Sequence, residues 1–289
     1  MMNISVIGAG YVGLITGIGF AKLNHQVSIV DLNDDLIKNL NENRPPFYEP
    51  ELVDYLNDSN IRNNLFFSTS YQKSINENTD IVFVCVQTPT DPDTGKTKTD
   101  YISSVLTELK KIESFNFIIC IKSTIKATLV EKISNEIDLD YKKIIFNPEF
   151  LREGSAFYDF FNPDRIVIGG SDQKGLNQCT ELYESFDCEK IITDSNSSQM
   201  IKYLSNTYLA MRLSFVNETY RLVSEFNGNP EEVLNAIGKD KRIGNDYFRP
   251  SPGWGGSCFP KDVKEVISSF QMDYQLPIIS EILRSNELH

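Results

Sequence analysis

Met2-Asn3-Ile4-Ser5-Val6-Ile7-Gly8-Ala9-Gly10-Tyr11-Val12-Gly13 is the stretch whose reading decides the fold. An apolar run of strand character enters a G-x-G-x-x-G turn that opens a helical pattern. In such a turn the first glycine makes the tight bend, the second admits a pyrophosphate close to the backbone, and the third lets helix and strand pack closely. The amides of the helix N-terminus, here those of Tyr11 and Val12, then serve as phosphate donors. The next strand ends in Val30-Asp31, 23 residues beyond Gly8. A carboxylate at that distance accepts from the adenosine ribose hydroxyls and repels a 2′-phosphate. Gly8, Gly10, Tyr11, Val12, Gly13 and Asp31 are therefore expected to bind NAD in preference to NADP.

Further strands are predicted at 4–8, 26–30, 65–68, 81–86, 117–121, 144–146 and 165–168. Unbroken apolar runs at 81–86 and 117–121 suggest burial on both faces. Helical periodicity fills the intervals, as at 100–113 and 127–137. This alternation predicts an α/β fold, a Rossmann-type doubly wound parallel sheet with right-handed crossovers. The pattern changes near Asp194. From Asn196 to about Phe226 no glycine or proline intervenes, and Ile201, Leu204, Tyr208, Met211, Phe215, Leu222 and Phe226 recur at helical spacing. One helix roughly 45 Å long follows from the rise per residue, capped by Ser195 or Ser197 and stopped by Gly228 and Pro230. Shorter helices are expected at 230–237, 261–270 and 277–288, and a polar surface turn at 57–64. The division is thus a dinucleotide-binding domain over 1–195 and an all-α central domain over 196–289, whose long helix bridges domains or builds a dimer.

A length of 289 residues allows one or two domains. The net charge of −12 argues against nucleic-acid and anionic-membrane surfaces. No apolar run approaches the ~20 residues of a membrane span, and no signal peptide is expected, since the opening residues read directly as a core strand. Five cysteines, an odd number with no C-x-x-C pair, argue against disulfides and zinc knuckles and for a reducing cytoplasm. The only histidines, His25 and His289, stand outside any motif, so no metal site is expected. Acid–base chemistry then falls to Lys, Asp, Glu, Cys or bound water.

Ligands of open parallel sheets lie beyond the carboxyl ends of the strands. Gln87-Thr88-Pro89-Thr90 and Lys122-Ser123-Thr124 end two of them, with hydroxyls to line a cofactor crevice. Asn147-Pro148-Glu149-Phe150-Leu151-Arg152-Glu153-Gly154 follows another and brings two carboxylates to that edge. Pro148 disfavours helix at Asn147, which points to a shaped loop. The most informative segment is Pro252-Gly253-Trp254-Gly255-Gly256-Ser257-Cys258-Phe259-Pro260-Lys261-Asp262. Its glycines suit a loop pressed against a ligand. Cys258 stands at a helix start with Lys261 close by, the setting that favours a thiolate. Cys85 and Cys120 lie in apolar strands and read as inert. Lys202 and Asn206, four apart, share a helix face beside the seam of Ile201 and Leu204; spacing alone favours a solvated surface lysine there, with partial desolvation by the seam as the alternative.

In this order the motifs resemble those of the UDP-glucose/GDP-mannose dehydrogenase family: G-x-G-Y-V-G, V-x-T-P, K-S-T, N-P-E-F-L-R-E-G, K-x-x-x-N-T-Y-L-A, R-I-G and G-x-G-G-x-C-F-P-K-D. The resemblance implies oxidation of the C6 alcohol of a nucleotide sugar to a carboxylate with two NAD. UDP-glucose is the expected sugar and GDP-mannose the alternative. It implies Cys258 as the nucleophile of a thiohemiacetal and then a thioester, and Lys202 with Asn206 as stabilisers of the oxyanion. Asp262 and Thr124 would hold a water or proton relay. Glu153 would be the base for hydrolysis with Glu149 in support, a role that Lys202 could share. Thr88, Thr124, Glu153 and Lys261 fall on the cofactor side. Phe150, Leu151, Arg152, Glu153, Lys202, Asn206, Gly253, Trp254, Gly255 and Gly256 fall on the sugar side. Arg242 would reach the sugar from a partner in a homodimer built on the long helix. Trp254 stands where a smaller aromatic is usual, and could stack on the ligand. Family chains continue into a nucleotide-binding domain after these helices, so the residues to His289 are expected to bind NAD and dimerise but to hold the sugar nucleotide poorly. Two rivals stand beside this reading: a two-electron hydroxy-acid dehydrogenase with no use for Cys258, and a non-catalytic NAD-binding fragment.

Overall fold

Every residue of Ile81–Val84 and Ile118–Ile121 is apolar and buried, so the sheet holding them must be covered on both faces. The computed structural model describes residues 1–112, 116–269 and 276–289, and it supplies both layers. The strands are β1 (Asn3–Ile7), β2 (Gln26–Val30), β3 (Leu65–Ser68), β4 (Ile81–Val84), β5 (Ile118–Ile121), β6 (Ile144–Phe146), β7 (Arg165–Gly169) and β8 (Glu189–Thr193). They form one sheet in the order β3-β2-β1-β4-β5-β6-β7-β8. Around it run α1 (Tyr11–Lys22), α2 (Asp34–Asn41), α3 (Leu52–Asn57), α4 (Ser59–Arg62) and α5 (Tyr71–Ser74). The later helices of this part are α6 (Asp100–Lys111), α7 (Ala127–Glu136), α8 (Ala156–Phe161) and α9 (Gln173–Leu182). Then come α10 (Ser195–Glu225), α11 (Pro230–Gly238), α12 (Phe259–Ser269) and α13 (Pro277–Leu288). The far ends of two expected helices, at Glu113 and Phe270, lie outside the described residues.

Strand periodicity sends alternate side chains to opposite cores. Ile4, Val6, Phe83 and Cys120 pack with Leu14, Ile18 and Phe20 of α1 on one face. Ile7, Val82, Val84 and Ile121 pack with Ile102 and Leu106 of α6 and Val130 of α7 on the other. β1 pairs with both β2 and β4, all parallel. The direction of winding therefore reverses beside β1, which opens a crevice beyond the carboxyl ends of β1 and β4.

The sheet departs from the expected all-parallel order at one junction. β6 and β7 pair antiparallel through Phe146 and Gly169. The Asn147 side-chain amide donates to the Val167 carbonyl at 2.8 Å. The Arg165 guanidinium stacks on Phe150. These contacts hold the start of β7 beside the loop that follows β6, so β7 runs back toward it. β8 was absent from the sequence reading because it contains no buried residue and no continuous apolar run. The expected turn at 57–64 is corrected to include α4, which Asp58 caps and whose Ile61 is buried.

The long helix occupies nearly the span its periodicity predicts, but its ends are made by other residues. Asp194, not Ser195 or Ser197, is the cap: its carboxylate accepts from the Ser197 N–H at 2.9 Å and from the Ser197 hydroxyl at 2.6 Å. At the far end Asn227, not Gly228, takes the left-handed turn (φ 57°). The Gly228 N–H then closes on the Val223 carbonyl at 2.9 Å, the Schellman pattern. Asparagine is the residue after glycine that most readily accepts this conformation.

The chain forms two units, and they do not follow chain order. Met1–Thr88 and Thr99–Lys202 make the first; Pro89–Lys98 and Tyr203–His289 make the second. The excursion Pro89–Lys98 was not foreseen. Its Thr97 N–H and hydroxyl both donate to the buried Glu265 carboxylate of α12, at 2.6 and 2.8 Å. The second unit has a core of Ala210, Trp254, Val263 and Ile282, and a smaller one of Val216, Leu234 and Phe248. Among the described residues no helix is long and apolar enough to cross a membrane.

Phe83 is fully buried and stacks on Phe20 with ring centroids 5.6 Å apart. Phe83→Ala is expected to lower stability by about 3–5 kcal/mol, whereas Phe66→Ala, at a half-exposed position on β3, stays within about 0.5 kcal/mol. Urea unfolding followed by circular dichroism measures both.

Candidate active site

β1 ends where Gly8 takes φ 101°, and its N–H donates to the Val30 carbonyl at 2.7 Å. A Cβ on Gly8 would stand 2.8 Å from the Cys85 carbonyl oxygen, and one on Gly13 would run into the Gly8 carbonyl. Both glycines are thus required by packing, as their places in the motif predict. A Cβ on Gly10 would meet nothing within 4 Å. α1 begins at Tyr11 with no side-chain cap, so the N–H groups of its first turn have no intrahelical acceptor. The Asp31 carboxylate accepts from the Ala9 N–H at 2.9 Å and the Asn33 N–H at 3.0 Å, which fixes it beside the turn. Open backbone at Gly10, uncapped amides and an oriented carboxylate fit a dinucleotide: pyrophosphate on the amides, ribose on Asp31. Thr88 is buried, and its hydroxyl donates to the carbonyl of the buried Thr124 at 2.9 Å, tying two strand ends together.

The loop after β6 is pinned at several points. Lys122, buried at the end of β5, donates to the Asn147 side-chain carbonyl at 2.8 Å. Burial holds its ammonium below the usual lysine value. Glu149 lies against Lys202 of α10, Oε1 to Nζ 2.8 Å, with the two side chains only 8% and 4% exposed. Its other oxygen accepts from the Leu151 N–H at 2.7 Å. Burial alone would raise the Glu149 carboxyl, but the Lys202 ammonium and the Leu151 N–H outweigh it and hold the group below its ordinary 4.5. Phe150 presents its ring to Lys202 at 5.4 Å. Arg152 is exposed and paired with Asp159, Leu151 is half-buried, and Glu153 is exposed. The two carboxylates of this loop therefore differ: Glu149 is locked in an ion pair, and Glu153 faces solvent.

The second unit holds the thiol. Cys258 is exposed at the start of α12, where its carbonyl accepts the Asp262 N–H at 2.9 Å. The loop before it bends at Gly253 (φ 110°) and Gly256 (φ 84°), and a Cβ on Gly255 or Gly256 would meet nothing within 4 Å. Asp262 is buried between two donors, the Asn206 amide at 2.6 Å and the Lys261 ammonium at 2.6 Å. Burial pushes the Cys85 thiol up to about 12 and raises Cys120 as well, which suits inert core residues. The stacking expected of Trp254 is corrected. Its indole is buried in the second unit, donating from Nε1 to the Ser214 hydroxyl at 2.8 Å. An indole has enough apolar surface to be drawn into that core, and its one donor finds an acceptor there. Arg242 is exposed and chelated by Asp240, and Arg212 of α10 fixes the same turn by donating to the Gly244 carbonyl.

Two residues of this architecture carried no readable signal. Glu49 is buried and accepts from the Tyr11 hydroxyl at 2.7 Å, the Gly154 N–H at 2.9 Å and the Ala156 N–H at 2.8 Å. Glu265 organises the excursion at Thr97. Each is one glutamate among many in the sequence, and only folding shows that it is desolvated.

The Glu149 ion pair has a testable pH signature. Because its folded carboxyl titrates below 4.5, its stabilising contribution is complete above that value and is lost as pH falls through the depressed one. Lys202→Met strands the buried carboxylate and is expected to cost about 3–5 kcal/mol at neutral pH. Burial then dominates and raises the Glu149 carboxyl, so the deficit narrows as pH is lowered. Denaturant titrations of both proteins between pH 4 and pH 8 measure it.

Residues 2–187 match the NAD binding domain of the UDP-glucose/GDP-mannose dehydrogenase family, and residues 196–288 match its central domain. The UDP-glucose 6-dehydrogenase YwqF of Bacillus subtilis is 34% identical, over 99% of this chain and 66% of its own length. The UDP-glucose 6-dehydrogenase of Rhizobium meliloti is 36% identical, over 96% of this chain and 65% of its own. The chain thus spans about 66% of the length of such relatives. Among solved structures, a UDP-glucose dehydrogenase from Pyrobaculum islandicum superposes with a TM-score of 0.92 at 34% identity, covering 100% of this chain and 68% of that one. A GDP-mannose dehydrogenase from Pseudomonas aeruginosa gives 0.79 at 28% identity, covering 99% and 69%. With NAD as the cofactor of its first matched domain, the chain belongs to the UDP-glucose/GDP-mannose dehydrogenase family.

Proposed function

We propose that these residues serve an NAD-dependent nucleotide-sugar 6-dehydrogenase that oxidises UDP-glucose to UDP-glucuronate. The observation that carries the reading is the standing of Cys258: it alone of the five cysteines is exposed, and it sits at a helix start behind a glycine loop. NAD supplies the hydride acceptor in both oxidations. The C6 alcohol gives up a hydride and a proton to become an aldehyde, and the Cys258 thiolate adds to its carbon. Loss of a second hydride from that thiohemiacetal leaves a thioester. Water then displaces the thiolate and leaves the carboxylate.

Roles follow from environment. The Lys202 ammonium, paired with Glu149, is matched to an oxyanion on C6, and the Asn206 amide, oriented by Asp262, donates to the same charge. Glu153, the exposed carboxylate, is the base for the hydrolytic water. Asp262 and Thr124 orient the water or proton of the alcohol step. Phe150–Glu153 and the loop of Gly253, Gly255 and Gly256 are the sugar contacts, with Trp254 behind that loop. Relatives named for UDP-glucose support this sugar over GDP-mannose.

The partner is a second copy of the chain. Leu204, Tyr208, Phe215 and Leu222 of α10 and Phe226 just beyond it follow one another at steps of four and seven, and each is between 44% and 79% exposed. An apolar stripe this long calls for a complementary surface, and an isologous helix pair supplies the same stripe in reverse. Arg242 would then serve the partner's sugar.

Brief iodoacetamide treatment of the native protein is expected to label Cys258 before Cys85, Cys120 and Cys179, as read by peptide mass spectrometry. Turnover yields two NADH per UDP-glucose, and Cys258→Ser ends it at the aldehyde level. A yield of one, or unchanged turnover in the variant, removes the thiol from the mechanism. Light scattering is expected to give twice the chain mass, and Tyr208→Glu with Leu222→Glu to give the single mass with the circular dichroism unchanged.

A further inference from the structure

The dinucleotide turn and the loop carrying Glu153 are far apart in sequence, yet one buried side chain binds both. Glu49 is 3% exposed. Its Oε2 accepts from the Tyr11 hydroxyl and the Gly154 N–H, and its Oε1 from the Ala156 N–H. Tyr11 is the first residue of α1, where the pyrophosphate amides are. Gly154 and Ala156 close the loop that displays Glu153. The Tyr11 hydroxyl also lies 3.3 Å from the Arg152 carbonyl, so it touches the loop directly. Glu49 is itself held from behind: the Leu52 N–H donates to its carbonyl at 3.2 Å, and Leu52 and Leu56 of α3 are fully buried. Phe47 packs its ring 5.1 Å from that of Tyr11. A carboxylate that gathers three donors in a dry setting is a stiff joint, because each donor it loses leaves charge unsatisfied.

We propose that Glu49 is a positioning residue that couples occupancy of the NAD turn to the order of the loop Phe150–Ala156. Pyrophosphate on the first turn of α1 fixes Tyr11, the Tyr11 hydroxyl fixes Glu49, and Glu49 fixes Gly154 and Ala156, which directly follow Glu153 and hold it in place. Coupling is reciprocal, so ordering the loop tightens NAD by the factor that NAD orders the loop. The inference rests on the NAD assignment and is independent of the sugar and of Cys258.

The test is amide hydrogen exchange at Gly154 and Ala156, with NAD binding followed by calorimetry on the same protein. Saturating NAD is expected to slow both amides about fivefold or more. Tyr11→Phe keeps the ring and both loop hydrogen bonds to Glu49. The hydroxyl's bonds to Glu49 and to the Arg152 carbonyl are lost, so both amides exchange somewhat faster without NAD, while the slowing by NAD disappears and NAD affinity drops by the same factor. Glu49→Gln speeds both amides even without NAD. NAD binding with no slowing in the unaltered protein, or slowing that survives in Tyr11→Phe, overturns the coupling alone. Absence of any NAD heat overturns the cofactor assignment and the coupling together.

Discussion

The close approach of α1 to β1 at Gly8 and Gly13 is the constraint on which the first unit depends. No side chain fits at either position, because the Cys85 carbonyl crowds one and the Gly8 carbonyl crowds the other. That contact sets the first turn of α1 beyond the carboxyl ends of β1 and β4, where the winding of the sheet reverses. The amides of that turn, Asp31 and the loops after β4, β5 and β6 all reach the same edge because strands in parallel register end together. A helix one methyl group further from the strand would carry its N-terminus away from that edge.

Within each unit the charged residues divide into those that hold and those that are held out. Glu149 and Lys202 bury opposite charges within hydrogen-bond distance, and Lys122 is desolvated against Asn147. Asp262 is bracketed by Asn206 and Lys261. Such groups are costly to bury, and the cost is met only where every donor and acceptor has a partner. Glu153 and Cys258 are exposed. Buried charges satisfied in this way are preorganised, and such dipoles need not rearrange as charge develops beside them.

The places where reading the chain failed share a cause. β8 and α4 bury too little to interrupt a polar pattern, so periodicity passes over them. Asn227 displaced Gly228 at the helix end because both residues tolerate a left-handed backbone, and which one adopts it depends on where the last hydrogen bond closes. Trp254 stands in a glycine loop suited to a ligand, where its indole could stack, yet its area is buried with Ala210, Val263 and Ile282. The excursion Pro89–Lys98 joins the second unit through Glu265, a partner far away in sequence.

The chain alone determined β1 to β7, the glycine turn and the long helix, because each rests on local periodicity or on the unusual backbone of glycine. It also marked Cys258, since three glycines before a helix start have little use in packing. Folding decided the rest. Which carboxylate is buried in an ion pair and which is exposed, which lysine is dry, and which glutamate clasps the dinucleotide turn all depend on desolvation, and desolvation is a property of what surrounds a residue in space rather than of its neighbours along the chain.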